Sequence, residues 1–556
     1  MSGERLIYMP LGGAGEIGMN AYVYGYGKPG QERLLVVDLG VTFGDMDGTP
    51  GIDLILPDVA WLAERRDRIE AIVITHAHED HVGALGLVWD RLRAPVHARR
   101  FTLAIAKLKM EERGPVSASM LREVAPWPET FQAGPFTVGI VPLSHSIPES
   151  GGLVIDSPAG RIVHSGDFKI DPSPVVGDPF DPEVWREIGR GGVRALMCDS
   201  TNIFSPHPGR SEATLADSIE ALIRESTGMV VATTFASNVA RLKTIALAAQ
   251  AAGRSVCLLG RAMRRMVDTA TETGLLTGFP PTISPEEANQ IPREHVLLLV
   301  TGSQGERRAA SAQLAQGSYL GLSLKEGDTY LLSARTIPGN ERPVARILNM
   351  LSEKGVEVVE DRDGAYHVSG HANRPDIERM HDLVEPQLVF PMHGEHRHLR
   401  EHLKVAEAKG RRGMVVTNGM MVDLTGNAPK VAEHVEAGRT YLDGAVLVGA
   451  MDGVVRDRMR MAINGHVTVT VIVDENDEPL GDPWCEVMGL PAKGRGGEDL
   501  AEALEAELGR FMARAEARTL RDDDRLEKEL IRIARQTAQG EVGKKPEVTV
   551  VVSRLA

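Results

Sequence analysis

The segment 76–81 constrains this chain most, because four residues of metal-ligand type fall within six positions. Residues 71–75 form a short, β-branched run of the kind that predicts a buried strand, and residues 81–89 predict an apolar helix. The residues in the turn between them are His76, His78, Asp80 and His81. Any one of the 17 histidines, taken alone, is more often a surface or core residue. Four ligand-type residues together at the end of a strand instead indicate a metal site.

Further ligand-type residues also end predicted strands. His145 follows the apolar run 138–143, Asp167 follows 161–165, and His393 follows 388–391. The carboxyl ends of neighbouring strands meet at one edge of a sheet, where irregular backbone leaves room for a site. Each of these three residues, judged singly, fits a surface or core position equally well.

The ligand types narrow the choice of metal. Imidazoles and carboxylates without thiolates suit Zn²⁺ or Mn²⁺, and two such ions about 4 Å apart can share a water. The cysteines are few, odd in number and far apart, namely Cys198, Cys257 and Cys485. Their spacing excludes a disulfide framework or a clustered-cysteine zinc site, so any metal is expected on histidines and carboxylates. Asp38 follows the strand 34–37, and it can hydrogen-bond a ligand imidazole without binding the metal itself.

The length and the texture of the chain predict several domains. At 556 residues, about three domains are expected. Residues 1–208 are rich in short strands, whereas 209–371 alternates helical periods with buried strands, which predicts an α/β domain wound on its own sheet. The strand pattern then resumes over 372–450. A domain inserted into an interrupted fold is the simplest interpretation.

A third unit is predicted after a linker at 451–457, over residues 458–556. Its expected elements are a strand pair at 465–474, a glycine-rich turn at 494–497, helices at 499–516 and 522–539, and a last strand at 547–554. The second of these helices alternates charged and apolar positions, so we expect this C-terminal unit to pack against another subunit and to support a homodimer or homotetramer.

Charge and hydropathy limit the partners. A net charge of −15 argues against wrapping nucleic acid with the whole surface, although a basic groove can coexist with an acidic shell. Four arginines, which are either a local cationic source or a solvated helix face, are Arg91, Arg93, Arg99 and Arg100. No secretory signal and no apolar run of membrane-spanning length is found, so no membrane association and a cytoplasmic location are expected.

The run 13–18 matches the spacing G-x-G-x-x-G after a strand, and Asp38 follows at the distance of a ribose-binding acid. A dinucleotide site also needs a helix after the glycines. Residues 19–25 alternate like a strand and 28–30 form a turn. We therefore expect a hairpin whose glycines serve turns or a close approach to the metals.

The motif H-x-H-x-D-H, together with His145 and the pair Gly166-Asp167, resembles the metallo-β-lactamase superfamily. The resemblance implies an αββα sandwich in which two divalent ions, Zn or Mn, are bound. One ion would be held by His76, His78 and His145, the other by Asp80, His81 and His393, and both by Asp167.

Simple superfamily members supply their last histidine soon after the bridging aspartate, whereas here His393 follows the inserted segment. This arrangement resembles the β-CASP nucleases, with Asp199, His371 and His393 at their characteristic positions. Several short sequences resemble those of the bacterial ribonuclease J family, namely segments 11–18, 198–202, 233–238, 367–372 and 391–396. The overall fold class implied is an αββα sandwich interrupted by an α/β β-CASP domain, plus a small α+β C-terminal domain.

The family resemblance implies an enzyme of RNA processing and decay that acts on single-stranded RNA, with 5′-to-3′ exonuclease activity preferring 5′-monophosphate ends, and endonuclease activity. Two predicted helix N-termini could hold such a phosphate, and the residues before them are Ser369, Gly370 and His371, and Ser237 and Asn238. Ordinary N-capping is the alternative for both groups. Asp80 is expected to orient the attacking water and His371 to protonate the leaving oxygen, a role that His367 could share unless it binds phosphate.

Three other functions stay open at this point. The chain could be a small-molecule thioester or lactam hydrolase, against which the inserted domain and the phosphate-like loops argue. It could be a β-CASP nuclease acting on DNA, since only the sequence resemblance to the family favours RNA. It could also be a metal-binding scaffold without catalysis, although no expected ligand is missing.

Overall fold

The computed structural model describes residues 3–555, and within them the chain forms two compact units. The first contains the chain up to Thr42 and Leu56–Arg439, and the second contains Phe43–Ile55 and the chain from Thr440 onward. In this described part, no helix combines the length and the apolar character needed to cross a bilayer.

Two sheets form the centre of the first unit. The first has eight strands in the order Lys430–His434, Met420–Asp423, Arg5–Gly12, Ala21–Gly27, Arg33–Val37, Ile69–Val73, Val96–Ala98 and Leu121–Glu123. The second has seven in the order Arg412–Gly413, Leu388–Met392, Ala195–Asp199, Gly160–His164, Gly151–Ser157, Phe136–Pro142 and Phe131–Ala133. One apolar core joins the inner faces, because Tyr8 and Val37 of the first sheet cluster with Ile155 and Phe390 of the second.

Helices flank this sandwich and complete the predicted αββα layers. They are Ala60–Ala63, Glu79–Val82, Leu85–Leu92, Arg100–Glu111, Pro182–Arg190, Arg374–Val384 and His396–Ala408. Trp185 and Met380, from two of them, pack on Leu196 of the second sheet. The short strands Ala14–Gly15 and Gly394–Glu395 pair in parallel.

The helix predicted over 81–89 is wrong in its bounds. The chain instead forms Glu79–Val82 and Leu85–Leu92, with a break at Gly83 and Ala84. The break arises because the N–H of Ala84 donates to the carbonyl of Leu39. Two short helices thus replace one long helix after the ligand segment.

The inserted segment forms a parallel sheet, as predicted. Its six strands follow the order Thr282–Ile283, Ser255–Leu259, Val296–Val300, Val230–Thr233, Thr329–Leu332 and Glu357–Glu360. Its helices are Ala216–Glu225, Val239–Ala251, Arg261–Glu272, Pro285–Ala288, Ala310–Gln316 and Glu341–Glu353, with a small hairpin of Ser318–Tyr319 and Leu322–Ser323. The strand Val296–Val300 is buried at every position, as a parallel strand covered on both faces should be.

The second unit has its own sheet and core. The strand His466–Val473 lies between Trp484–Met488 and Glu547–Arg554. The strand pair predicted at 465–474 is therefore wrong, because this stretch is one continuous strand whose partners come from elsewhere. The remaining described elements from residue 439 onward are Arg439–Asp443, Val446–Gly449, Val454–Asn464, Leu500–Met512, Ala517–Leu520 and Asp523–Val542.

The last long helix, Asp523–Val542, packs its apolar positions inside this unit. Leu526, Leu530 and Ala534 are fully buried in one cluster with Leu504. Its apolar stripe is thus used within the chain, so the expected packing of this C-terminal unit against another subunit stays a prediction and would use a different surface.

The domain limits drawn from the sequence stay a prediction. Residues 451–457, predicted as a linker, contain the first turn of the helix Val454–Asn464. The second compact unit also takes in Phe43–Ile55, a segment far from it in the sequence.

Candidate metal centre

The strand ends bring the predicted site residues to one edge of the sandwich. The segment 76–81 follows the strand Ile69–Val73, and His145 follows Phe136–Pro142. Asp167 follows Gly160–His164, while Asp199 and His393 come from the ends of two adjacent parallel strands. Parallel strands end on the same side of a sheet, which is why residues so distant in sequence meet here.

The first group of four ligand-type residues is compact. His76, His78, His145 and Asp167 each offer one ligand atom, and these atoms lie within 4.8 Å of one another. Nδ1 of His78 is 3.1 Å from Nε2 of His76 and 3.1 Å from Nε2 of His145. Nε2 of His76 lies 3.8 Å from the Asp167 carboxylate.

The second group shares Asp167 with the first. Its members, Asp80, His81, Asp167 and His393, also place one ligand atom each within 4.8 Å of one another. Nε2 of His81 lies 3.1 Å from Oδ2 of Asp167, and Nε2 of His393 lies 3.2 Å from Oδ2 of Asp80. Asp167 is thus the residue common to both groups.

These residues fit a pair of divalent ions. Asp167 is 1% exposed, and its Oδ1 atom makes no well-aligned hydrogen bond among the described residues, although Nδ1 of His393 lies 3.2 Å away. A buried carboxylate among imidazoles is stabilised when cations neutralise its charge. The donor set of imidazole nitrogens and carboxylate oxygens suits Zn²⁺ or Mn²⁺.

Burial and charge divide the histidines into two kinds. Burial lowers the pKa of His78 to about 4, and it lowers the pKa values of His76 and His145 well below the usual range. These three imidazoles are therefore neutral near pH 7 and can offer a lone pair to a cation. Neutral imidazole is the form that binds metals.

The other two imidazoles lie among carboxylates. Burial alone would lower the pKa of His81, but Asp167, Asp80 and Asp38 raise it to about 10. Burial is likewise outweighed at His393, whose pKa the same Asp167 carboxylate raises well above the usual range. This half of the site has an excess of negative charge, which a divalent cation can balance in place of protons.

Asp38 contacts one of the ligand-type histidines. Oδ2 of the buried Asp38 lies 2.8 Å from Nδ1 of His81, and Thr75 donates to the same carboxylate from its N–H and its hydroxyl. This bond fixes the ring so that Nε2 of His81 faces Asp167. Sequence spacing alone could not show which histidine Asp38 would hold.

Two residues that hold the ligand segment were missed in the sequence. Nδ2 of Asn20 donates to the carbonyl of Asp80, 3.1 Å away, and Tyr22 donates to Oδ1 of Asn20. A Cβ atom on Gly40 would overlap the same Asp80 carbonyl, so only glycine fits there. Gly40, two residues after Asp38, was the available signal in the sequence, because glycine allows another segment of the backbone to approach closely.

His371 is held by a carboxylate from the sandwich. Its Nδ1 atom lies 2.8 Å from Oδ2 of Asp199 and 3.8 Å from Oδ2 of Asp167. Thr201, also missed in the sequence, donates to Oδ1 of Asp199 at 2.7 Å and lies 3.0 Å from Nδ1 of His393. The predicted residues Asp199, His371 and His393 thus meet beside the shared aspartate.

The segment before the helix Arg374–Val384 is arranged differently from expectation. The N-cap is Asn373, so Ser369, Gly370 and His371 form a separate turn ahead of the helix. In this turn the Ser369 hydroxyl accepts the N–H of His371. The carbonyl of Gly370 lies 2.6 Å from Nδ1 of His145, and a Cβ there would press on His145 and Ser146. The glycine is therefore explained by its close approach to a ligand histidine.

His367 lies in a cationic environment. Burial and the neighbouring cations Arg241, Arg335 and Lys169 lower its pKa to about 3. Arg241 is completely buried and forms an ion pair with Glu212, with Nη2 2.9 Å from Oε2. Lys169 is likewise paired, with Asp171 at 3.2 Å, so two of the three cations near His367 have carboxylate partners.

The helix Val239–Ala251, the second predicted phosphate site, begins with an ordinary N-cap residue. Asn238 is the N-cap of Val239–Ala251, and its side-chain oxygen accepts the N–H of Arg241. Asn238 is 4% exposed, whereas its neighbour Ser237 is partly exposed. The side-chain oxygen of Asn238 therefore serves as an ordinary N-cap, which is the alternative to phosphate binding.

Two other sequence features have structural explanations. The run 13–18 leads into the strand Ala21–Gly27 and not into a helix, so the dinucleotide alternative is wrong. Arg99 is 8% exposed and pairs with Asp178 at 2.8 Å, which neutralises one member of the arginine cluster. The four arginines therefore do not form one cationic face.

The sandwich, the inserted sheet and the shared aspartate define the class of the protein, a metal-dependent hydrolase of the metallo-β-lactamase superfamily with a β-CASP domain. The family models agree. The metallo-beta-lactamase superfamily model matches residues 15–231, and the ribonuclease J beta-CASP domain model matches 227–351. The model of a Zn-dependent metallo-hydrolase RNA specificity domain matches 356–416, and that of the ribonuclease J C-terminal domain matches 453–555.

Full-length relatives give the family itself. Ribonuclease J of Sinorhizobium meliloti is 40% identical over 99% of this chain and 98% of its own length. Ribonuclease J of Thermus thermophilus is 34% identical over 94% of this chain and 90% of its own. The chain belongs to the ribonuclease J family.

A solved structure agrees on the fold. A protein of unknown function from Enterococcus faecalis covers 75% of this chain and 100% of its own, with a TM-score of 0.52 and 17% identity. At this identity the likeness concerns the fold alone. The metallo-β-lactamase fold of this chain implies the use of divalent metal.

Proposed function

We propose that this chain is a metal-dependent ribonuclease that removes nucleotides from the 5′-monophosphate end of single-stranded RNA and also cleaves internally. The observation that carries the proposal is the position of Asp167, which belongs at once to three four-residue groups of ligand-type side chains, the third formed with Asp199, His371 and His393. The names of the relatives, all ribonuclease J, support RNA as the substrate. Roles in RNA processing and decay follow from the same family.

Two divalent ions, Zn or Mn, would be held by His76, His78, His145, Asp80, His81, His393 and Asp167. Such ions supply the Lewis acidity that activates water and polarises a phosphodiester. Outside the ions, the chain holds its ligands in place. Asp38 orients His81, and the carbonyl of Gly370 orients His145.

Asp80 is proposed to orient the attacking water. Its carboxylate is 31% exposed, whereas that of Asp167 is 1% exposed. Burial acts against ionisation, but His81 and His393 hold the pKa of Asp80 below its usual value. An ionised, solvent-reaching carboxylate can accept a hydrogen bond from the water and direct its lone pair at phosphorus.

His371 is proposed to protonate the leaving oxygen. Its side chain is 22% exposed and so can reach a substrate. Burial lowers its pKa, but the Asp199 and Asp167 carboxylates raise it above the usual value, which favours the protonated ring. His367, with a pKa of about 3, is the weaker candidate for the acid.

The 5′-monophosphate is proposed to lie between the turn of Ser369, Gly370 and His371 and the start of the helix Val239–Ala251, where Ser237 and Asn238 lie. His367 would donate a hydrogen bond to it from its neutral ring. Arg335 would supply positive charge, whereas Arg241 and Lys169 are already paired with Glu212 and Asp171.

One experiment tests both the chemistry and the substrate. Wild type and Asp80→Ala are incubated in Mn²⁺ with 5′-monophosphorylated RNA, 5′-triphosphorylated RNA and DNA of matching sequence. We expect wild type to release nucleotides from the 5′ end of the monophosphorylated RNA first, and Asp80→Ala to be inactive. Asp67→Asn, whose carboxylate is 97% exposed, is the control and should behave as wild type.

Each other outcome points to a different function. Equal turnover of DNA would favour a β-CASP nuclease acting on DNA. No turnover of either polymer with turnover of a thioester would favour a small-molecule hydrolase. Unchanged RNA cleavage by Asp80→Ala would overturn the proposed mechanism.

We also propose that the chain forms a homodimer or homotetramer through its C-terminal domain. Trp484 and Val551 flank Thr470 on the outer face of a three-stranded sheet, and they are 54% and 44% exposed. An exposed tryptophan on a sheet face is typical of an interface. Light scattering on full-length Trp484→Lys should show a smaller particle, and an unchanged particle mass would contradict this interface. The predicted cytoplasmic location stays a prediction.

A further inference from the structure

A second cluster of ligand-type side chains lies outside the metal centre. Cys198 points from the strand Ala195–Asp199 into the apolar layer that includes residues of the flanking helices. Its Sγ atom and one ring nitrogen each of His381 and His402 lie within 4.8 Å of one another. All three side chains are completely buried, and the two histidines come from the helices Arg374–Val384 and His396–Ala408.

The hydrogen bonds around His402 are compatible with a free lone pair on Nε2. The hydroxyl of Ser200 is 3.3 Å from the carbonyl of Cys198 and 2.9 Å from Nδ1 of His402. When this hydroxyl donates to the carbonyl, its oxygen accepts from Nδ1–H of His402, and Nε2 of His402 carries a lone pair. This Nε2 atom faces Nε2 of His381 at a distance of 3.0 Å.

The ring of His381 cannot be satisfied by these partners alone. Its Nδ1 atom is buried without a hydrogen-bond partner among the described residues. If Nε2 of His381 donates to His402, Nδ1 is left as a lone pair without a donor. If the proton is on Nδ1, two lone pairs face each other. Either arrangement costs about 1–3 kcal/mol for an unsatisfied buried group.

A cation bound by both Nε2 atoms would remove the second conflict, while Nδ1–H of His381 would stay without an acceptor among the described residues. The spacing of 3.0 Å matches the 3.1 Å between ligand nitrogens of His76 and His78 in the metal centre. Burial lowers the pKa of His402 to about 4, so its ring is neutral and able to bind. A ligand histidine usually donates its other nitrogen to an outer partner, which here is Ser200.

We propose that Cys198, His381 and His402 bind one Zn²⁺ ion in a structural site separate from the metal centre. A thiolate with two imidazoles is a donor set that suits Zn²⁺, with a small oxygen ligand completing the tetrahedron. On binding, the Cys198 thiol loses its proton to solvent as the sulfur–zinc bond forms. The ion would join one strand to two helices, next to Asp199.

The thiolate makes the site testable apart from the metal centre, whose ligand groups contain no cysteine. The full chain is produced in cells supplied with Co²⁺, so that the buried site fills during folding. We expect a sulfur-to-cobalt charge-transfer absorption in the near ultraviolet. We also expect Zn²⁺-grown protein to contain one more ion per chain than the Cys198→Ser variant.

The other two cysteines provide matched controls, because Cys257 and Cys485 are also buried but belong to other clusters. The double variant Cys257→Ala/Cys485→Ala leaves Cys198 as the sole thiol and should retain the absorption in full. This variant keeps the test valid even if Cys198→Ser does not fold. The His381→Gln variant should lose the absorption.

Absence of the absorption in the cobalt-grown wild type, with equal zinc content in wild type and Cys198→Ser, would overturn the site. An absorption that disappears in the double variant would also overturn it, because it would then come from another thiol. RNA cleavage is not the readout, so the result does not depend on the proposed ribonuclease activity.

Discussion

Nδ1 of His371 lies 2.8 Å from Oδ2 of Asp199, although 172 positions separate the two residues in the chain. Asp199 ends a strand of the sandwich, and His371 follows the inserted domain. The two parts of the chain therefore meet at a charge-assisted hydrogen bond beside the metal centre. Such bonds are about twice as strong as neutral ones.

Substitution of Asp199 by Asn should shift the pH dependence of RNA cleavage. Burial lowers the pKa of His371 and the Asp199 carboxylate raises it, so the variant should have a lower His371 pKa. Activity that needs the protonated ring is present below this pKa and is lost as the pH rises through it. The alkaline limb of the rate profile should therefore move to lower pH. An alkaline limb at the wild-type position would show that His371 is not the acid.

Removal of the ring in His371→Ala should lower the rate at neutral pH by about 10²- to 10⁴-fold, the usual contribution of a general acid. Binding of the two ions should change little if the ring only transfers a proton. Single-turnover rates and metal content measured on the same sample separate these effects. A matching loss of metal would instead make His371 a ligand.

Substitution of Asp38 by Asn should weaken metal binding without removing a ligand. The carboxylate holds Nδ1 of His81 at 2.8 Å, and loss of such an outer partner typically costs about 10- to 100-fold in metal affinity. Competition with a chelator measures the affinity. The surface variant Asp67→Asn should match wild type, and equal affinities for both variants would contradict the role of Asp38.

A methyl group on Gly40 should disturb the ligand segment. A Cβ there overlaps the Asp80 carbonyl, which must move, and overpacking of this kind costs about 1–3 kcal/mol. We expect Gly40→Ala to lower both the melting temperature and the metal content. Gly496→Ala has open space around its Cβ and should change stability by less than about 0.5 kcal/mol. Equal melting temperatures for the two variants would contradict the prediction that the close approach of Gly40 to the Asp80 carbonyl requires glycine.

Removal of one partner of the buried ion pair Arg241–Glu212 should strongly destabilise the inserted domain. Arg241→Met leaves Glu212, which is 4% exposed, without its cation, and such a loss costs about 3–5 kcal/mol. Hydrogen exchange of peptides containing Val230–Thr233 reports the local opening. The control is Arg224→Met, whose exposed pair with Glu220 is worth at most about 1 kcal/mol. Equal exchange in the two variants would contradict the prediction.

The sequence by itself determined the ligand types and their placement at strand ends. Strand runs and the residues that follow them are local features, so the cluster at His76 indicated a metal site, whereas His145, Asp167 and His393 became candidates through the family resemblance. The alternation of helical periods with buried strands over 209–371 likewise predicted a domain with its own sheet. The strand Val296–Val300 of that sheet is buried at every position, as its continuous apolar composition requires.

Only the tertiary structure decided which of these residues act together. The partner of Asp38, the carbonyl of Gly370 on His145 and the neutralised Arg99 all depend on contacts between distant segments. The same is true of Cys198, which sequence spacing separates from His381 and His402. The physical reason is that periodicity fixes which side of an element a residue faces, whereas strand order and packing fix what it meets there.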